Sequence, residues 1–128
     1  MGAWGTGSFE NDDAVDWVAG LDAITPEELR RILERAADDP GYLEAPAASI
    51  AVAASEVVAA LNGFPAEGAP GKIAEWTGKH ACTPELKAAA VRALERVRRS
   101  SEVKDLWMEA DGLNEWIGAV RELQGRLG

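Results

Sequence analysis

The sequence has one cysteine, one histidine and no apolar run that is long enough to cross a membrane. The lone Cys82 excludes an internal disulfide and fits a reducing compartment. The most apolar stretch, residues 45–61, is mostly alanine and contains Pro46 and Glu56, so it is too weakly apolar for a transmembrane helix. The first residues lack the basic and apolar regions of a signal peptide. These absences predict a cytoplasmic protein.

Motifs for catalysis and cofactors are equally scarce. The sequence contains no Gly-rich phosphate loop that ends in Lys-Ser or Lys-Thr, and no Gly-x-Ser-x-Gly turn. His80 and Cys82 alone supply too few soft ligands for a zinc site. We therefore expect no cofactor and no bound metal, and we favour a binding protein over an enzyme.

Basic residues are rare in the first half of the chain. Residues 1–70 carry 13 acidic and 3 basic side chains, whereas residues 71–128 carry 9 acidic and 10 basic ones, and the whole chain has a net charge of −9. Such an acidic surface repels phosphates, so general nucleic-acid binding is disfavoured. The acidic half could instead steer a basic protein partner.

Strand patterns are missing, and apolar residues recur at helical spacing instead. The length of 128 residues argues for one domain, 1–128. We predict an all-α bundle of about six helices with a central alanine-rich helix. The predicted helices cover residues 11–22, 26–38, 46–61, 84–99, 101–110 and 113–127, and a weaker signal covers 72–79.

Two helix starts have especially clear signals. Thr25 and Thr83 each precede a proline, and the residue order predicts that each threonine caps a helix whose first residue is Pro26 or Pro84. Glu28 adds a capping box to the first of them.

The opening segment, WGTGSFENDDAVDW over residues 4–17, is the most unusual stretch. In a structural interpretation, Trp4 packs against the core and anchors the chain end, and Asn11 caps a helix. In a functional interpretation, tryptophans and carboxylates line a pocket. Asp12 and Asp16 share a helix face, although their spacing alone is a poor metal signal. The candidate ligand-binding residues are Trp4, Asn11, Asp12, Asp13, Asp16 and Trp17.

Charged residues in the predicted core and on a basic helix also require an explanation. Glu56 lies in the apolar third helix, so it must either reach solvent or pair with a group such as an arginine. Glu95 and Arg99 have the spacing of an ion pair on one helix face.

Three segments together resemble a known family. The opening segment, the run ASEVVAALNG from Ala54 and the run SEVKDLWMEADGLNEW from Ser101 are similar to the bacterial family catalogued as domain of unknown function 4259. An alanine- and arginine-rich composition is also typical of bacterial proteins. The resemblance covers nearly the whole chain, and it implies a small protein with no established activity, ligand or catalytic residue.

Two functions from different classes follow from these observations. The leading hypothesis is a small acidic binding or regulatory module that acts by protein–protein contact, one version being an immunity- or antitoxin-like protein. The alternative is a small-ligand binder or an enzyme that uses the opening segment. A deep pocket walled by Trp4 and Trp17 would favour the alternative, whereas a packed core without a pocket would favour the module.

Overall fold

A computed structural model describes residues 5–128 of the protein. Within that range the structure has no strand, and it contains six α-helices of eight residues or more together with one seven-residue helix, α4. The all-α prediction is confirmed. The expectation that Trp4 anchors the chain end concerns a residue outside the described range. The elements are α1 (Asp12–Ala19), a 3-10 turn (Leu21–Ala23), α2 (Pro26–Asp38), α3 (Ala45–Leu61), α4 (Gly71–Thr77), α5 (Pro84–Arg99), α6 (Glu102–Glu109) and α7 (Leu113–Arg126).

Helix α3 occupies the centre of the fold, as the sequence predicts. It contacts each of the other six α-helices, and every residue from 51 to 59 is buried. A helix that is apolar on all sides packs on all sides. Its many alanines let the neighbouring helices come close.

The two predicted threonine caps are confirmed. The Thr25 hydroxyl accepts a hydrogen bond from the Glu28 N–H at 3.1 Å, and the Glu28 side chain completes the capping box. The Thr83 hydroxyl accepts one from the Leu86 N–H at 3.2 Å. Each cap satisfies a backbone N–H that has no partner within its own helix.

The first helix is shorter than predicted. The sequence predicts a helix over 11–22, but α1 ends at Ala19 and a 3-10 turn carries the chain on to Ala23. Gly20 is the reason for the break, because glycine is a poor helix former and its N–H bonds back to the Trp17 carbonyl in a tightened turn. Leu21 is nevertheless buried as the predicted apolar stripe requires.

The two sides of α3 are covered differently. On one side, α2 and α5 pack against each other and against α3. On the other side, α6 and α7 cover α3 together with the segment before α1, and a pocket lies among them. Within residues 5–128, no helix is long and apolar enough to cross a membrane.

Candidate functional site

The pocket has a volume of about 290 Å³ and is built by four parts of the chain. Gly5 to Ser8 and the first turn of α1 form one wall, α3 forms the base, and α6 and α7 form the remaining walls. The lining residues are Gly5, Thr6, Gly7, Ser8, Asn11, Asp13, Ala45, Pro46, Ser49, Val52, Glu102, Val103, Leu106, Trp107, Trp116, Ala119 and Val120.

Two tryptophans are among the residues that line the pocket. Trp116 is buried on α7, and Trp107 is half-buried on α6. Gly112, between these helices, lets the chain pass close to the Trp107 ring, because a Cβ at this position would lie 2.6 Å from Trp107 Cε3. The Gly112 N–H also donates to the Trp107 carbonyl at 2.9 Å. The α6–α7 turn therefore positions the indole at the pocket.

Polar groups at the pocket are only partly satisfied by the described residues. Ser49 is 8% exposed, and its hydroxyl makes no hydrogen bond with residues 5–128. Ser55, also on α3, behaves as buried helical serines usually do and donates to the Ala51 carbonyl at 2.8 Å. With respect to the described residues, the Ser49 hydroxyl is a candidate polar contact for a molecule in the pocket.

The charges at the pocket are of one sign. Asp13 and Glu102 line it, and no Lys, Arg or His among residues 5–128 does so. Glu102 accepts a hydrogen bond from the Ala45 N–H through Oε1 at 2.7 Å, which ties the start of α6 to the start of α3. The Asp13 carboxylate has neither an ion pair nor a hydrogen bond within the described range. The pocket is therefore acidic as well as aromatic.

The segment from Gly5 to Glu10 folds tightly around the side-chain carboxylate of Glu10. The Gly7 N–H donates to Glu10 Oε1 at 3.0 Å, and the Glu10 N–H donates to the Gly7 carbonyl at 3.1 Å. A Cβ at Gly5 or Gly7 would collide with the Glu10 carboxylate, so both glycines permit this close approach.

An ion pair between Glu56 and Arg126 joins α3 to α7, and Ser8 of the Gly5–Glu10 segment bonds to its carboxylate. Glu56 is 4% exposed and accepts hydrogen bonds from Arg126 Nη1 at 2.8 Å and Nη2 at 3.0 Å. The Ser8 hydroxyl donates to Glu56 Oε2 at 2.7 Å. Glu56 raises the pKa of the Arg126 guanidinium, although burial opposes that shift, and Glu122 adds to the increase. Of the two alternatives for Glu56, pairing with an arginine is confirmed.

The structure separates the candidate residues that the sequence grouped together. Asn11 and Asp13 line the pocket, and Asn11 Oδ1 also caps α1 by accepting the Ala14 N–H at 2.9 Å. Asp12 and Asp16 are exposed on α1. Trp17 is half-buried against the core, and Trp4 lies outside the described residues. Among residues 5–128, no group of three or more His, Cys, Asp or Glu side chains could hold a metal ion.

Sequence reasoning missed most of the pocket. Trp107 and Trp116 stand in regular apolar stripes, and such a stripe does not distinguish a core tryptophan from one that faces a cavity. Ser49 and Glu102 lie in helices without any motif. The one available signal was the run from Ser101 to Trp116, whose two tryptophans and Asp-Gly turn supported the family resemblance.

The fold and the site together define a small all-α protein with an acidic, tryptophan-walled pocket. The family model described as Domain of unknown function (DUF4259) matches residues 2–119. The chain therefore belongs to that family. No curated protein and no solved structure matches it.

Proposed function

We propose that the protein is a binding module for a small, largely apolar molecule that enters the pocket between residues 5–13, α3, α6 and α7. The observation that carries the proposal is a cavity lined by two tryptophans and by Ser49, a residue that is 8% exposed and whose hydroxyl makes no hydrogen bond with residues 5–128. Ligand sites are typically apolar clefts in which a few polar groups fix the orientation of the ligand.

The size of the pocket limits the ligand. A cavity of roughly 150 Å³ is sufficient for benzene. At about 290 Å³, this pocket suits a molecule with one or two rings, or a short branched chain. It lies at the small end of the range for known ligand sites.

A fragment screen followed by NMR tests the proposal. Neutral, cationic and anionic fragments are added to the ¹⁵N-labelled protein, and we expect bound fragments to shift the indole N–H signals of Trp107 and Trp116. Ser49→Leu fills the pocket and should abolish those shifts. Ser100→Leu introduces the same side chain at an exposed position and should leave them unchanged. A complete absence of fragments that act on the two indoles would contradict the proposal.

Protein–protein contact is a second candidate function, and the surface of α1 favours it. Asp12 and Asp16 are exposed beside Val15, which is 46% exposed, in the acidic half of the chain. This acidic and apolar face suits a basic protein partner, of which a toxin held by an immunity- or antitoxin-like protein is one example. Affinity for the basic product of a neighbouring gene that falls with salt and with D12K/D16K would support this function, and an unchanged affinity would contradict it.

We also propose that the protein acts in the bacterial cytoplasm, a placement supported by its single cysteine and its alanine- and arginine-rich composition. Fractionation of cells that express the native gene tests this placement. Recovery from the periplasm or the medium would contradict it.

A further inference from the structure

The described residues that line the proposed ligand pocket carry net negative charge. Asp13 and Glu102 line it, and the lining residues of the described chain include no basic side chain. The basic residue nearest to Glu102 in sequence, Lys104, donates through Nζ to the Arg99 carbonyl at 3.0 Å. Arg126, a half-buried arginine on α7, is held by Glu56 and Glu122. Within residues 5–128 no basic side chain balances the two carboxylates, and a cationic molecule would complement them.

The apolar lining of the pocket favours a ligand whose charged group is carried on an apolar body. Trp107 and Trp116 lie in the same pocket as the two carboxylates. Apolar surroundings also strengthen the attraction between a carboxylate and a cation.

Negatively charged ligands are disfavoured for the same reasons. An anion would meet the carboxylates of Asp13 and Glu102. The carboxylate oxygens of Asp13 and Glu102 also favour a ligand that donates hydrogen bonds. Asp13 makes no hydrogen bond within residues 5–128, and Glu102 uses only Oε1 for the Ala45 N–H. A carboxylate can only accept hydrogen bonds, so its natural complement is an N–H group.

We infer that the ligand of this pocket is a small organic cation, an ammonium group carried on an aromatic or short aliphatic body. The ammonium group lies toward Asp13 and Glu102, and the apolar body lies against Trp107 and Trp116. This inference rests on the proposed function and adds the chemical class of the ligand to it.

Three probes of similar shape test the charge requirement. The binding of 2-phenylethylamine, 2-phenylethanol and phenylacetate is measured by following the indole N–H signals of Trp107 and Trp116. We expect the amine to bind about tenfold or more tightly than the alcohol, since its ammonium group donates charge-assisted hydrogen bonds to the carboxylates. Phenylacetate should bind most weakly.

Neighbouring aspartates provide a matched control. Asp13→Asn should reduce the preference for the amine severalfold, whereas Asp12→Asn removes an exposed carboxylate from the same helix turn and should leave the preference unchanged. Glu102→Gln keeps an oxygen for the Ala45 N–H and serves as a second variant if Asp13→Asn does not fold.

Each possible outcome decides a different point. Equal binding of amine and alcohol at the two indoles would overturn the cation inference and leave the proposed function intact. Equal loss of preference in the Asp12 and Asp13 variants would also overturn the inference, because it would reveal a general charge effect. Failure of all three probes would overturn it as well, and the broader fragment screen then judges the proposed function separately.

Discussion

The two sides of α3 differ in how closely their side chains pack. On the α2–α5 side, apolar stripes fill the space between the helices, and Leu29, Leu33 and Leu94 are completely buried. On the α6–α7 side, α6 contributes no fully buried residue, and a pocket remains beside Ser49. The closely packed α2–α5 side therefore supports the fold beside a region, on the α6–α7 side, that retains a cavity and polar groups.

The buried ion pair should show the largest effect of a single substitution. Arg126→Met leaves Glu56 buried without its cationic partner, and removing one member of such a pair typically costs about 3–5 kcal/mol of unfolding free energy. Chemical denaturation measures the loss. The double variant Glu56→Leu/Arg126→Met should recover most of it, since an apolar pair replaces the charges. A double variant as unstable as the single one would contradict this account.

Truncating one leucine on each side of α3 tests the comparison directly. Leu94→Ala removes a fully buried side chain and should cost about 2–5 kcal/mol. Leu106→Ala removes a half-buried side chain at the pocket and should cost about 1 kcal/mol. Equal losses in denaturant titrations would show that the two sides are equally packed.

Alanine substitutions at two glycines distinguish a glycine that packing requires from one that only lowers helix propensity. Gly112→Ala places a Cβ against the Trp107 ring, so the indole must move, and we expect a loss of about 1–3 kcal/mol. Gly118→Ala, on α7, meets nothing within 4 Å and should instead stabilise the helix by about 0.5–1 kcal/mol. Thermal melts and the Trp107 indole N–H signal measure both effects. An unmoved Trp107 signal in Gly112→Ala would refute the positioning role of Gly112.

Removing either threonine helix cap should lower stability by a smaller amount. Thr25→Ala and Thr83→Ala each remove a hydroxyl that accepts a backbone N–H, and each should cost about 1 kcal/mol. Serine at either position retains the hydroxyl and should retain most of the stability. Unchanged melting temperatures in both alanine variants would show that the caps do not stabilise these helices.

The smallest predicted effect is the change of unfolding free energy at acidic pH. The hydrogen bond from Arg126 lowers the pKa of Glu122 below its ordinary value of 4.5, although burial opposes the shift. A carboxyl whose pKa is lower in the folded state stabilises the fold above its unfolded pKa and loses that contribution as pH falls below it. Unfolding free energy should therefore decline below about pH 4.5, and Glu122→Gln should make the decline slightly shallower. An identical pH profile for Glu122→Gln would contradict this contribution.

Local signals made most of the fold predictable from the sequence. The order Thr25, Pro26 and Glu28 specifies a helix start through bonds within four residues, and the apolar surface around α3 specifies a central helix. The first helix was predicted too long because its apolar stripe continues to Leu21, and the stripe does not reveal that Gly20 changes the backbone from an α-helix to a 3-10 turn.

The pocket could not be predicted in the same way, because it depends on contacts between distant segments. Asn11, Ser49, Glu102 and Trp116 belong to four separate elements, and their proximity follows from how these elements pack on α3. The sequence predicted a site near the opening segment, and two of the six named residues, Asn11 and Asp13, line the pocket. The tryptophans at the pocket come instead from α6 and α7.

The contact between Glu56 and Arg126 has a consequence for the order of events on the ribosome. Arg126 is translated 70 residues after Glu56, a delay of several seconds at about 5–20 residues per second. During that interval Ser8 and Glu56 are already synthesised, but the carboxylate that accepts the Ser8 hydroxyl lacks its cationic partner. The nascent chain can form α2, α3 and α5 early, whereas the ion pair on this carboxylate forms only after α7 has been synthesised.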